Sequence, residues 1–338
     1  MNLNIKRNLP PGSAVYTGQH QVETKIQHVI YNKDILETTD SLELKPEVND
    51  WIMFKGLSDA SKIKSVCENF GVDPLVIEDI LNVNQRNKIE FFETYVFAVL
   101  SYSYLSNKEI KHDYFSVLLF KDKLISFHEH NTFIFDEIYK RLENNKGMIR
   151  KGKLDYLFYV ILDTILDNDI FVEKEISMQT LKLEEDIIQL ESANQSQFYG
   201  LRKELLYLKK TIDPIYDSFV KADYKKSLLI SREIDKYFDD IFDHMKRIYD
   251  DINTGRELLR NLLDVHMNNV SNRMNSIMKT LTIFSAIFIP LSFLTGFFGM
   301  NFHYFDILQN PYGLLIFGGI TLGITIGMIL FFKSRKWF

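Results

Sequence analysis

Two uncharged apolar stretches, residues 281–300 and 312–332, dominate the last part of this chain, and each is long enough to cross a bilayer as a helix. Crossing roughly 30 Å of hydrocarbon takes about 20 helical residues. The residues between them, 302–311, contain one acid, Asp306, and no Lys or Arg. They are too few to form a domain. The chain therefore closes on a membrane hairpin, and Gly299-Met300-Asn301 places a polar amide at its tip.

Charge orients the hairpin. Arg273 and Lys279 precede the first stretch, and Lys333, Arg335 and Lys336 follow the second. Basic residues at both inner ends and none in the loop put both termini in the cytoplasm of a cell-membrane protein with two spans. Trp337, beside those basic residues, reads as an interfacial anchor. The polar start of the chain has no short apolar core of a signal peptide, so the first span is expected to direct insertion. Cys67 is the one cysteine, which excludes an internal disulfide.

The residues before about 275 form a large cytosolic part with a net charge of −5 over the chain. No basic patch with interleaved aromatics marks a nucleic-acid binder. No Gly-rich phosphate loop, zinc-type Cys/His spacing or nucleophile elbow is present, so neither nucleotide binding nor enzymatic catalysis is expected.

Local patterns divide the chain further. Residues 1–21 read as a poorly ordered lead broken by Pro10-Pro11-Gly12. Residues 22–131 alternate β-like and helical runs, an α/β domain. Residues 51–54, 90–105, 114–120 and 124–128 are strand-like; 58–70 reads as a helix capped by Ser58, and Pro74 opens another through Leu81. Residues 132–230 lose the strand signal, with helices over 153–191 and 195–220, the second bent at Pro214. Residues 231–279 then form a stalk helix that continues as the first span, 280–300. The loop 301–311, the second span 312–332 and a basic tail 333–338 complete the chain. This is an α+β membrane protein.

Stepping back from Gly296 by four and three residues alternately gives Ser292, Ile289, Ser285, Thr282 and Met278, then Asn275, Ser271, Asn268 and Asp264. A 3.5-residue repeat is the seam of a left-handed helical bundle. Small and hydroxyl residues are common at membrane helix interfaces, so the bland reading is packing. Against it, the stripe continues into amides and a carboxylate, groups better placed against water than against a partner helix. One hairpin cannot enclose a channel, so several copies must surround a pore. Gly319, Gly323 and Gly327 recur every four residues in the second span and read as a close-packing face supporting the first. His128-Glu129-His130 offers two imidazoles on one side of a strand end, but surface histidines are the commoner outcome there.

The chain resembles CorA-type magnesium channels. The matching segments are Asn275-Ser276-Ile277-Met278-Lys279-Thr280-Leu281-Thr282, Pro290-Leu291-Ser292, Gly299-Met300-Asn301-Phe302 and the basic tail. In the cytosolic part they are Asp73-Pro74-Leu75-Val76-Ile77-Glu78-Asp79-Ile80-Leu81-Asn82 and the residues 85–93 that follow. The resemblance implies a homopentameric funnel in the lipid bilayer, with Asn301 as a ring of amides at the outer mouth and Gly299, Met300 and Asn301 as selectivity filter. It implies pore-facing Asn275, Met278, Leu281, Ile289 and Ser292, with Asp264 at a lower ring. It also implies regulatory Mg2+ between neighbouring cytosolic domains at Asp79 and Asp240, with Glu78 and Asp243 nearby. Two departures stand out: His303 replaces an acid common in relatives, and Ser292 and Ile289 replace Thr and Met.

A neutral amide ring suits Mg2+, which gives up its waters reluctantly and can be recognised hydrated. The expected function is Mg2+ influx, with Co2+ and Ni2+ as further cargo. A Zn2+ transporter of the same fold, and a non-transporting membrane-anchored sensor or scaffold, are the alternatives. The stalk acids Asp239, Asp250 and Asp251 read as a solvated face.

Overall fold

A computed structural model describes residues 9–130, 133–189, 195–221, 225, 227–300 and 310–337. Contacts divide the chain into two units, Met1–Arg260 and Asn261–Phe338.

The first unit is built on a seven-stranded sheet. Its strands are β1 (Lys25–Tyr31), β2 (Leu36–Thr39), β3 (Asn49–Lys55), β4 (Lys88–Phe91), β5 (Tyr95–Ser106), β6 (Glu109–Phe120) and β7 (Lys123–His128), in the order β2-β1-β3-β7-β6-β5-β4. Only β3 and β7 pair in parallel, with Trp51 opposite Leu124 and Phe54 opposite Phe127. Residues 90–105 read as one strand-like run, but Glu93 and Thr94 make a turn, closed by Phe92 N donating to Tyr95 O at 2.9 Å, that separates β4 from β5. Strand β6 starts five residues earlier than the aromatic pattern indicates (109 against 114), because Asn107 and Lys108 adopt φ of 52° and 67° and close a tight hairpin there.

Strand alternation loads both faces of the sheet. Ile52, Phe54, Tyr95, Phe97, Val99, Ile125 and Phe127 point to one side, onto helices α1 (Ala60–Asn69) and α2 (Pro74–Leu81). Deleting a ring such as Phe97, fully buried, is expected to cost about 3–5 kcal/mol. Helix α1 is capped by Asp59, whose side chain accepts from Lys62 N at 3.0 Å. Ser58, the residue expected to cap it, donates instead to Val22 O. Asp73 caps α2, and Pro74 occupies its first turn, where a missing N–H leaves no bond unmade.

The other face is covered by α4 (Leu154–Ile188) and α5 (Gln195–Lys221), with Pro214 inside α5, while α3 (Phe133–Glu143) packs on α4. The lead is a correction to the sequence reading: its described residues, 9–21, lie against the domain. Gly12 N donates to Glu78 Oε2, Thr17 N to Leu81 O and Tyr16 Oη to Glu129 Oε1. Ala14 and Tyr16 extend the apolar core beneath α2, which makes ordering these residues favourable.

Helix α6 (Asp235–Phe298) contributes its first part to this unit and the remainder to the second unit, where α7 (Gly313–Ser334) follows. Both helices are long and apolar enough to cross a membrane. Pro290 lies inside α6. The rings of Phe298 and Phe317 meet at 5.1 Å. Helix α7 ends in a Schellman motif: Trp337 N donates to Phe332 O and Lys336 N to Lys333 O, with Lys336 left-handed at φ 53°. Its hydrophobic contact is Trp337 on Phe332, ring centroids 5.4 Å apart. Among the described residues, a Cβ on Gly319, Gly323 or Gly327 would meet no atom within 4 Å, so this face of α7 has room for a closely packed neighbour.

Candidate ion pathway and metal-binding side chains

The seam predicted on α6 lies on continuous helix from Asp264 to Gly296. Asp264, Asn268, Ser271, Asn275, Met278, Leu281, Thr282, Ile289, Ser292 and Gly296 are exposed on the single chain, and Ser285 is half-buried. Leu281 and Ile289 are 59% and 67% exposed, too much apolar surface to leave in water. Thr282 Oγ1 donates to Met278 O at 2.7 Å, so its own oxygen lone pairs remain to face whatever lies beside the helix. Gly299 and Met300 follow at the helix end, with Gly299 N bonded to Thr295 O. Asn301, and with it His303 and Asp306, lies outside the described residues.

The acids expected to bind a regulatory ion fall into two groups. On α2, Glu78 and Asp79 are half-buried. Asp79 Oδ2 is 2.8 Å from Lys88 Nζ, which also holds Glu90 at 2.7 Å. Burial raises the Asp79 carboxyl above the usual range, with Lys88 opposing that shift. Glu78, Asp79 and Lys88, with Leu9, Pro10, Pro11 and Ser13 of the lead, line an open pocket of about 490 Å³.

On α6, Asp240 and Asp243 are exposed. Asp240 is brought together with two residues that sequence reading missed: ligand atoms of Asp163, Asp240 and His244 all lie within 4.8 Å of one another. Burial and then the neighbouring Asp167 push Asp163 up to about 6, while His244 and Arg141 oppose the shift. Two carboxylates this close form a site whose repulsion a divalent ion relieves. Their oxygens suit Mg2+ retaining several waters. The one signal available in sequence was the single-turn spacing of Asp240 and His244; Asp163 comes from α4, and Lys88 from β4. Asp79 joins no such three-residue cluster among the described residues.

Residues 46–335 match the family model described as CorA-like Mg2+ transporter protein. The cobalt/magnesium transport protein CorA of Thermotoga maritima is 35% identical over 345 residues, covering 99% of this chain and 98% of that protein. A zinc transport protein, ZntB, of Yersinia enterocolitica is 22% identical across 64% of this chain and 65% of its own length. Among solved structures, the complete CorA magnesium transporter of Methanocaldococcus jannaschii superposes with a TM-score of 0.78 at 19% identity, over 94% of this chain and all of that one. Full-length coverage at that identity, on the same fold, settles descent: the chain belongs to the CorA-like Mg2+ transporter family, whose members are transporters and not enzymes.

Proposed function

We propose that this chain is the protomer of a homopentameric channel that admits hydrated Mg2+ to the cytoplasm, with five copies of α6 around the pore. The observation that carries this reading is the seam of α6. Hydroxyls recur along it through an otherwise apolar span and amides continue it below, and all are exposed on the isolated chain except the half-buried Ser285. Asn301 forms the outer amide ring of the filter with Gly299 and Met300, accepting hydrogen bonds from the waters of the ion. Binding of that kind is strong enough for entry and weak enough for release. Met278 and Leu281 form an apolar constriction that closes by dewetting. A divalent ion crossing about 100 mV gains about 4.6 kcal/mol, so no nucleotide is needed.

Cytosolic Mg2+ at Asp79 and Asp240 of neighbouring subunits holds the closed state, with Glu78 and Asp243 beside them and Asp264 at a lower ring. The cluster of Asp163 with Asp240 supports a cation at this end of the helix. Both termini are cytoplasmic. The full-length cobalt/magnesium relative favours Mg2+ and Co2+ as cargo over the Zn2+ of the more distant one.

The test is ion uptake by purified protein in proteoliposomes under an inside-negative potential. Mg2+ influx without a proton gradient is expected, and Asn301→Ala is expected to abolish selective Mg2+ entry. Proton-coupled Zn2+ flux with no Mg2+ flux would overturn the cargo. No flux of either ion, with Asn301→Ala indistinguishable from the parent, would favour the non-transporting scaffold.

A further inference from the structure

The His128-Glu129-His130 segment at the end of β7 divides in the folded chain. His128 turns inward, 3% exposed, with Nε2 3.0 Å from Ser126 Oγ and its ring against Phe115 and Phe135. Burial, with smaller contributions from Lys55 and His130, pushes its imidazole down to about 3, so it packs as a neutral ring.

Glu129 and His130 face the lead instead, where His20 stands. Ligand atoms of His20, Glu129 and His130 all lie within 4.8 Å of one another. The His20 and His130 ring centroids are 4.9 Å apart. Supporting groups orient the three. Tyr16 Oη donates to Glu129 Oε1 at 2.6 Å, and Asp113 Oδ2 lies 3.5 Å from His130 Nε2. His130 Nδ1 is buried without a hydrogen-bond partner, an arrangement that ordinarily costs free energy. Gly18 of the lead passes close by, where a Cβ would press on Glu129 Oε1 and the Tyr16 hydroxyl and displace them. His20 and Glu129 border a cleft of about 240 Å³ lined also by His112 and Tyr207.

Two imidazoles and one carboxylate, with further positions open to water, are a donor set for a borderline transition metal. Mg2+ prefers oxygen ligands and its own waters.

We propose that His20, Glu129 and His130 bind a transition-metal dication of the zinc and cobalt class, at a site separate from the Mg2+ positions on α2 and α6. Tyr16 and Asp113 hold the ligands in position. Because His20 belongs to the lead whose Gly12 amide bonds Glu78, occupancy also fastens the lead onto the domain.

The experiment uses the full chain in detergent, stripped with chelator and titrated with Co2+ in excess Mg2+. Visible absorption from nitrogen-bound Co2+ is expected, with about one ion per chain displaced by Zn2+ and not by more Mg2+. His20→Ala and His130→Ala are each expected to weaken Co2+ binding about tenfold or more, and Tyr16→Phe by a smaller factor. His20 is exposed, so His20→Ala is expected to melt like the parent in chelator. Asp240→Ala is expected to leave the Co2+ spectrum unchanged. The proposal falls if both histidine variants keep full affinity and absorption, if added Mg2+ displaces Co2+, or if Asp240→Ala removes the signal.

Discussion

At the residue scale, the lysine beside Asp79 is a built-in competitor for any ion that site binds. Lys88 Nζ holds Asp79 at 2.8 Å in a partly buried pair, so a divalent ion must displace or share it. Such pairs are worth about 1 kcal/mol, or roughly a fivefold change in affinity. Lys88→Met is therefore expected to lower the Mg2+ concentration for half-maximal protection from protease by about fivefold. Protection that needs the same or more Mg2+ would remove Asp79 from the regulatory site. Asp169 makes a pH prediction. Fully buried and accepting the Ser103 amide at 2.8 Å, it is pushed up to about 8 by burial, from an ordinary 3.8. A raised acid stabilises the fold fully below its ordinary range and loses that contribution as pH rises through the folded value. Thermal stability of the full chain is thus expected to fall between about pH 4 and 8, and Asp169→Asn to flatten that decline. An unchanged slope in melting temperature against pH would show Asp169 is not its source. Neither Lys88 nor Asp169 was legible in sequence, since each acts on a partner distant along the chain.

At the element scale, α6 is where the linear pattern carried furthest. A helix turns about 100° per residue, so a repeat of 3.5 residues places its members on one face whatever surrounds them. Ser285 lies on that seam, and Ile287, two residues on, lies on the opposite side. Cys67 is fully buried and its thiol is pushed up to about 12, so the parent chain supplies little reactive background. Ser285→Cys and Ser292→Cys are expected to react with a water-soluble thiol reagent at least about tenfold faster than Ile287→Cys. Equal rates at all three positions would place the seam against lipid or protein. Cap positions were less legible: Asp59 rather than Ser58 closes α1, because adjacent side chains compete for the same amide and tertiary contacts with Val22 claim Ser58.

At the scale of the whole molecule, the proposed regulation requires a second copy, because Asp79 and Asp240 form no common cluster in one chain among the described residues. A lysine ammonium at position 240 would mimic the ion permanently. Asp240→Lys is expected to resist protease without Mg2+ to the degree that the parent does with it, and identical Mg2+ dependence in both would exclude Asp240 from the sensor. Chain order and spacing alone determined the two apolar spans, the long helix and its polar seam, because span length and helical periodicity are local properties that survive any packing; the family was legible in whole segments such as residues 73–82 and 275–282. Tertiary structure alone decided that His128 enters the core while His130 meets His20, that Asp163 joins Asp240, and that Gly12 of the lead bonds Glu78. Those outcomes depend on which distant side chains burial brings within a few ångströms, a distance that position in the chain does not encode.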